Sequence, residues 1–273
     1  MQPAHPLALI TGASSGIGAT FARHLAARGC DLILVARRQD RLEQQAHEIT
    51  SRHPVQAEIL PADLTRSAGL AEVENRIAAV DHLDYLVNNA GFGIVGRFFS
   101  VPLEGQDQMH RLHVLAPMRL MHAALPGMVA RGRGNIINVS SVSGFGQNPG
   151  SVSYSATKTW MTSFTEGIYM ELRSAGSAVR VQALCPGFTL SEFHDVMPFD
   201  RKKIPAWMWM TADTVVATSL SALDRDQLIV IPGWRYRLLA GLMRSIPRPL
   251  YHALSIRYAR ATGRDRDQAA RAG

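Results

Sequence analysis

Short apolar runs alternating with helical stretches constrain this 273-residue chain more than any other feature. Apolar runs fall at Leu7–Thr11, Asp31–Ala36, Val55–Pro61, Leu83–Asn88, Asn135–Ser140, Val179–Leu184 and Gln227–Ile231. Between them lie stretches with helical spacing, such as Ile17, Phe21 and Leu25 at every fourth residue. Further helical stretches are Arg41–Arg52, Ser67–Val80, Leu103–Arg131 with a bend or break at Pro117, and Ser155–Ser174. Strands that are apolar throughout are buried on both faces, and helical crossovers force their neighbours to run parallel. The pattern therefore predicts an α/β fold: a Rossmann-like, doubly wound parallel sheet of about seven strands with helices on both faces. No repeat or linker interrupts it. Residues 1–233 are expected to form one domain, with 234–273 as a basic amphipathic extension.

The first turn carries the first chemical signal. It reads Thr11-Gly12-Ala13-Ser14-Ser15-Gly16-Ile17-Gly18, a G-x-x-x-G-x-G spacing between a strand and a helix. Glycine allows a sharp turn and close approach to a ligand, and a helix N-terminus offers free N–H groups that suit a pyrophosphate. Doubly wound folds hold dinucleotides at this turn. The second strand ends Ala36-Arg37-Arg38, with no acid at 36 or 37 to bind a ribose 2′-hydroxyl. Arg37 can form paired hydrogen bonds to a 2′-phosphate, so NADP (NADPH) is expected in preference to NAD.

Tyr154 and Lys158 are four apart and share one helical face. An ammonium near a phenol favours the phenolate, which would tune the tyrosine for proton transfer. Only three lysines stand against 26 arginines, so a lysine at 158 suggests that a compact ammonium is wanted there. Ser141, just past the fifth strand, can donate to an oxygen on which charge develops.

Taken in order, these residues resemble the short-chain dehydrogenase/reductase family, in its common single-domain branch. Thr11-Gly12-x-x-x-Gly16-Ile17-Gly18 is similar to its cofactor loop, and Asp63-Leu64 to its adenine contact. Asn88-Asn89-Ala90-Gly91 is similar to its N-N-A-G signature, Ser141, Tyr154 and Lys158 to its catalytic trio, and Pro186-Gly187 with Thr189 and Ser191 to its P-G loop. The motifs span residues 7–193. The resemblance implies hydride transfer between NADPH and a carbonyl or alcohol carbon. Tyr154 would be the acid/base, Ser141 would position the substrate oxygen, and Lys158 would hold the nicotinamide ribose and tune Tyr154. It also implies that residues 190–226 cover the substrate.

One position departs from the family pattern. His113 stands where an asparagine is usual, and either a proton relay or simple packing fits it. No spaced set of metal ligands is present, so no metal is expected. Phe193, Met197, Phe199, Trp207, Met208, Trp209 and Met210 suit a bulky apolar substrate, or ordinary packing.

Residues 231–273 hold nine arginines and two aspartates, which accounts for the whole formal charge of +7. Trp234–Ile246 is expected to be an amphipathic helix, followed by a second after Pro247 and Pro249, with a frayed end from Arg264. Peripheral membrane contact, capping of the substrate region and packing on another subunit all suit such a tail; a solvated helical face is the preferred reading. It lacks interleaved base-stacking motifs, so no nucleic-acid partner is expected. Cys30 and Cys185 read as buried thiols, and Met1–Pro6 has no basic segment of a secretory signal. A cytoplasmic homodimer or homotetramer acting on a small apolar carbonyl or alcohol is the expectation. The alternative is an NADP-binding regulator or scaffold with little catalysis.

Overall fold

A computed structural model describes residues 5–192 and 204–262 of the chain. Strand and helix alternate from the start: β1 (Leu7–Thr11), α1 (Gly16–Ala27), β2 (Asp31–Ala36), α2 (Gln39–Thr50), β3 (Ala57–Pro61), α3 (Ser67–Ala78) and β4 (Tyr85–Asn88). Then come α4 (Leu103–His110), a π turn at Arg111–Leu115, α5 (Ala116–Ala130), β5 (Asn135–Val139), a 3₁₀ turn at Val142–Phe145, α6 (Val152–Ser174) and β6 (Arg180–Leu184). Two short strands, β7 (Thr189–Leu190) and β8 (Met210–Thr211), precede α7 (Ala212–Asp224), β9 (Ile229–Val230), α8 (Trp234–Ser245) and α9 (Arg248–Thr262).

Seven strands form one parallel sheet in the order β3-β2-β1-β4-β5-β6-β9, which is the doubly wound fold the alternation predicts. Successive strand residues feed opposite faces, because side chains alternate along a strand. Ile10, Leu34, Val87 and Ile137 pack with Phe21 and Leu25 of α1 and Val216 and Leu220 of α7. Leu9, Ile33, Leu86 and Ile136 pack on the other face with Val73 of α3, Leu120 of α5 and Leu172 of α6.

Two elements differ from the sequence expectation. The helix expected over Leu103–Arg131 does not break at Pro117. Proline lacks the N–H that would bond back to residue 113, and the ladder widens into the π turn at Arg111–Leu115 just before it. The stretch 190–226, expected as a substrate cover, divides. From Ala212 onward it is α7, whose Val215, Val216, Leu220 and Leu223 belong to the core.

Candidate active site

The sheet order reverses between β1 and β4, and doubly wound folds bind ligands outside the carboxyl ends of the strands at such a point. Thr11 ends β1 there. Its hydroxyl accepts the N–H groups of Asn89 (2.9 Å) and Ala90 (3.1 Å) and donates to the Val87 carbonyl (3.2 Å). Asn89 Nδ2 in turn donates to the carbonyls of Thr11 (3.0 Å) and Gly12 (3.3 Å). The N-N-A-G segment is thus laced to the glycine turn. Gly12 has a φ of +66°, and a Cβ there would come within 2.8 Å of Asn89 Nδ2. A Cβ at Gly18 would overlap the Gly12 carbonyl. The Ser15 side chain does not cap α1, so its first-turn N–H groups are offered to a ligand. Gly12, Gly16, Ile17 and Gly18 therefore form a bed whose free donors suit a pyrophosphate.

At the β2 and β3 edge, Arg37 is exposed, while Arg38 donates to Ser14 Oγ (3.0 Å) and Glu192 (2.9 Å). The Arg38–Glu192 pair ties the chain after β7 across the glycine turn, a feature no motif foretold. Asp63 Oδ1 accepts from the N–H (3.0 Å) and hydroxyl (2.7 Å) of Thr65. Burial pushes this carboxyl up, but the Thr65 hydrogen bonds and the charges of Arg37 and Arg66 outweigh it and hold it below the usual range. Leu64 beside it is buried.

Ser141, Tyr154 and Lys158 come together beyond β5. Helix α6 starts at Val152, earlier than its expected start at Ser155, so Tyr154 and Lys158 both lie within it. Lys158 Nζ is 5.8 Å from the Tyr154 ring centre and donates to the Val139 carbonyl at 2.7 Å. Gly144 lets the loop after β5 close on α6: a Cβ there would sit 2.9 Å from the Lys158 carbonyl. Ser141 Oγ accepts from the Ser143 N–H (3.1 Å), so its own hydrogen stays available to donate. Burial pushes the Tyr154 phenol up to about 12, against a smaller opposite pull from its hydrogen bond with Ser141. Burial pushes Lys158 down to about 8. Burial sets the direction for both groups, because loss of water favours the neutral form of each.

His113 lies in the π turn and is fully buried. Its Nε2 sits 3.2 Å from the Phe92 backbone N–H, which can only donate. Nε2 is thus the acceptor, and the proton belongs on Nδ1, 3.0 Å from Thr157 Oγ1. The Thr157 hydroxyl passes its own hydrogen to the Tyr154 carbonyl (2.9 Å). Burial, with the nearby Lys158 and His110 charges, holds His113 well below the ordinary histidine range. A neutral imidazole with both nitrogens engaged braces the loop after Gly91 against α6. Gly91 makes room for it, since a Cβ there would lie 2.8 Å from Nε2.

The roof joins the Pro186-Gly187 loop to C-terminal chain that sequence motifs left unassigned. The Pro186 carbonyl accepts from Val142 N–H (3.0 Å), and buried Thr189 donates to the Gly187 carbonyl (3.0 Å). Tyr236 of α8 lies against Gly187, where a side chain would overlap its ring. Its hydroxyl accepts from Phe188 N–H (3.0 Å) and donates to the Met208 carbonyl (2.7 Å). Tyr251 of α9 donates to the Gln147 carbonyl (3.0 Å). Trp209 packs against Phe188 with ring centres 5.5 Å apart, while Trp207 is exposed. Phe193, Met197 and Phe199 lie outside the described residues. Among the described residues no cluster of metal-binding side chains occurs, and no helix is long and apolar enough to cross a membrane.

A family model described as short chain dehydrogenase matches residues 6–200. The chain belongs to that family. Its members are oxidoreductases acting on alcohols and ketones, and this chain is one of them. It is 38% identical to a short-chain dehydrogenase from Sphingobium yanoikuyae solved with NADPH, over 89% of this chain and 97% of that one, with a TM-score of 0.79. The bulky-bulky ketone specific alcohol dehydrogenase from Comamonas testosteroni is 34% identical over 89% of this chain and 95% of its own, at a TM-score of 0.75. A very-long-chain 3-oxoacyl-CoA reductase from Macaca fascicularis is 28% identical over 93% of this chain and 80% of its length.

Proposed function

We propose that this oxidoreductase uses NADPH to reduce a bulky apolar carbonyl compound, with Tyr154 as the proton donor. The observation that carries the reading is the set of Ser141, Tyr154 and Lys158 around one spot beyond β5, beside the glycine bed of β1. Bound on that bed, NADPH supplies the hydride. Gly12, Ser14, Ser15, Gly16, Ile17 and Gly18 would cradle its pyrophosphate, Asp63 and Leu64 its adenine, and Arg37 its 2′-phosphate. Asn89, Ala90, Gly91, Pro186, Gly187 and Thr189 would line its nicotinamide half. Lys158 spends one N–H on Val139, leaving two donors for ribose hydroxyls.

Reduction needs a proton at the carbonyl oxygen as the carbon gains the hydride. Tyr154, pushed up to about 12, is protonated at neutral pH and ready to give it. Ser141 Oγ donates a hydrogen bond to the same oxygen, and the Lys158 ammonium stabilises the phenolate left behind. His113 braces this arrangement and does not relay a proton. The Comamonas and Macaca relatives, named for bulky ketones and very long acyl chains, support a large apolar substrate, as do Phe188 and Trp209 at the roof.

The test is NADPH oxidation against a panel of aryl, steroid-like and long acyl ketones. Tyr154→Phe is expected to lower turnover by about 10²–10⁴-fold while NADPH binding is kept. A Tyr154→Phe enzyme as fast as wild type would remove the tyrosine from the chemistry. Tight NADPH binding with no turnover on any ketone would favour a regulator or scaffold.

A further inference from the structure

We propose that α8 and α9 form a docking surface for an anionic lipid membrane, lying in its headgroup region. The first observation is which side of each helix meets solvent. In α8, Trp234, Leu238 and Leu242 recur every four residues and are 62%, 67% and 55% exposed, while Tyr236 and Ala240 make the buried contacts. In α9, Leu250 and Leu254 are also exposed while Tyr251 and Ala259 are buried. A helix that only covers a core turns its large apolar side chains inward and its charges outward. These two keep small or hydroxyl-bearing residues inside and display leucine and tryptophan, and an apolar stripe such as Trp234, Leu238 and Leu242, one turn apart on α8, marks an interaction site.

Charge identifies the occupant. Residues 227–262 contain six arginines and no aspartate or glutamate. All six arginines are exposed, and none is ion-paired among the described residues. Apolar side chains interleaved with arginines match a surface whose interior is hydrocarbon and whose rim is anionic. The guanidinium of Arg235 lies 5.1 Å from the ring centres of both Trp207 and Trp234, a grouping suited to the membrane–water boundary. A second copy of the chain fits poorly. A two-fold contact sets a surface against itself, and without a carboxylate it would oppose arginine to arginine.

The placement has a consequence for the site. Tyr236 and Tyr251 fasten these helices to the Gly187–Phe188 and Gly146–Gln147 loops, so a membrane on α8 and α9 would lie beside the roof of the active site. An apolar substrate dissolved in lipid would then have a short path in. That last link rests on the proposed function; the docking surface does not.

The experiment is co-sedimentation of the full chain, with NADPH present, on vesicles of phosphatidylcholine alone or mixed with phosphatidylglycerol. Binding is expected on the mixed vesicles, weaker by about tenfold or more on neutral ones, and reduced by salt. The Leu238→Glu/Leu242→Glu variant is expected to stay in solution while keeping the wild-type Tm and NADPH affinity. Tryptophan emission should shift to the blue on mixed vesicles, and less so in Trp234→Phe. No binding to mixed vesicles, equal binding to neutral ones, or unchanged binding by the double variant would overturn the proposal. So would a dimer that the double variant dissolves in a chain that ignores vesicles, or a preference for polynucleotide over vesicles. None of these readouts needs turnover, so failure here leaves the oxidoreductase reading standing.

Discussion

The glycine turn after β1 and the two C-terminal helices both border the site, yet they are built on opposite principles. The turn is closed by backbone. Glycines at 12 and 18 let carbonyls and amides approach within contact distance, and Thr11 and Asn89 hydrogen-bond each other and the backbone around them. The C-terminal helices are held by tyrosine hydroxyls reaching to loop backbone, and their large apolar residues face outward. Where backbone fits backbone, almost any side chain is excluded. Where a few hydroxyls hold a helix, its outer face is free to carry an interaction surface.

Point substitutions can break this contrast. The largest effect is expected in the tightly packed half: Leu25→Ala in α1 removes a fully buried side chain and should cost about 2–5 kcal/mol in denaturant unfolding. Lys158→Met should act in the opposite sense on stability while abolishing reductase turnover. Its folded pKa is about 8 against an unperturbed 10.5, so burial of the ammonium costs on the order of 3 kcal/mol at neutral pH. The sign fixes the pH window. Below about pH 8 both states are protonated and the cost is full. Between about 8 and 10.5 the folded lysine gives up its proton while the unfolded one keeps it, so wild type gains stability and the advantage of Lys158→Met fades. Over the first part of that window reductive turnover should fall, because the ammonium is lost while Tyr154 stays protonated to about 12. A rate that is flat from pH 7 to 9.5 would separate Lys158 from the proton donor.

Smaller effects sharpen the contrast. Tyr236→Phe leaves the Phe188 N–H and the Met208 carbonyl without their partner and should cost about 1–3 kcal/mol, read as a lower Tm. Arg37→Asp should weaken NADPH by about tenfold more than NADH in titration, and equal losses would sink the 2′-phosphate assignment. Smallest of all, Leu238→Ala should change stability by less than about 0.5 kcal/mol, since that side chain is already in water. A loss as large as that of Leu25→Ala would mean that α8 is packed and has no free outer face.

Most of the sheet was legible because strand burial leaves a direct record in composition. Leu9, Ile33 and Leu86 must be apolar where both faces are covered, the glycines at 12 and 18 must be glycine where backbone comes close, and the glycine at 16 suits its φ of +56°. The helix at Ala212–Asp224 escaped notice because its apolar residues follow a run of tryptophan and methionine that reads equally as substrate cover. The role of Thr11, the Arg38–Glu192 tie and the tyrosines at 236 and 251 escaped it too. Each bonds a partner 28 to 154 residues away, and no local pattern records such a meeting.

The sequence by itself determined the fold class, the order of the motifs and the chemical types available to the site, because periodicity and residue type are local properties. Only the tertiary structure decided which titratable groups lose their water, which partners His113 meets and the face that α8 and α9 turn to solvent. These depend on which water is removed and which donors arrive from distant strands. Burial raises Tyr154 and lowers Lys158, an effect that their spacing on the helix does not carry. A single N–H from Phe92 fixed the tautomer of His113.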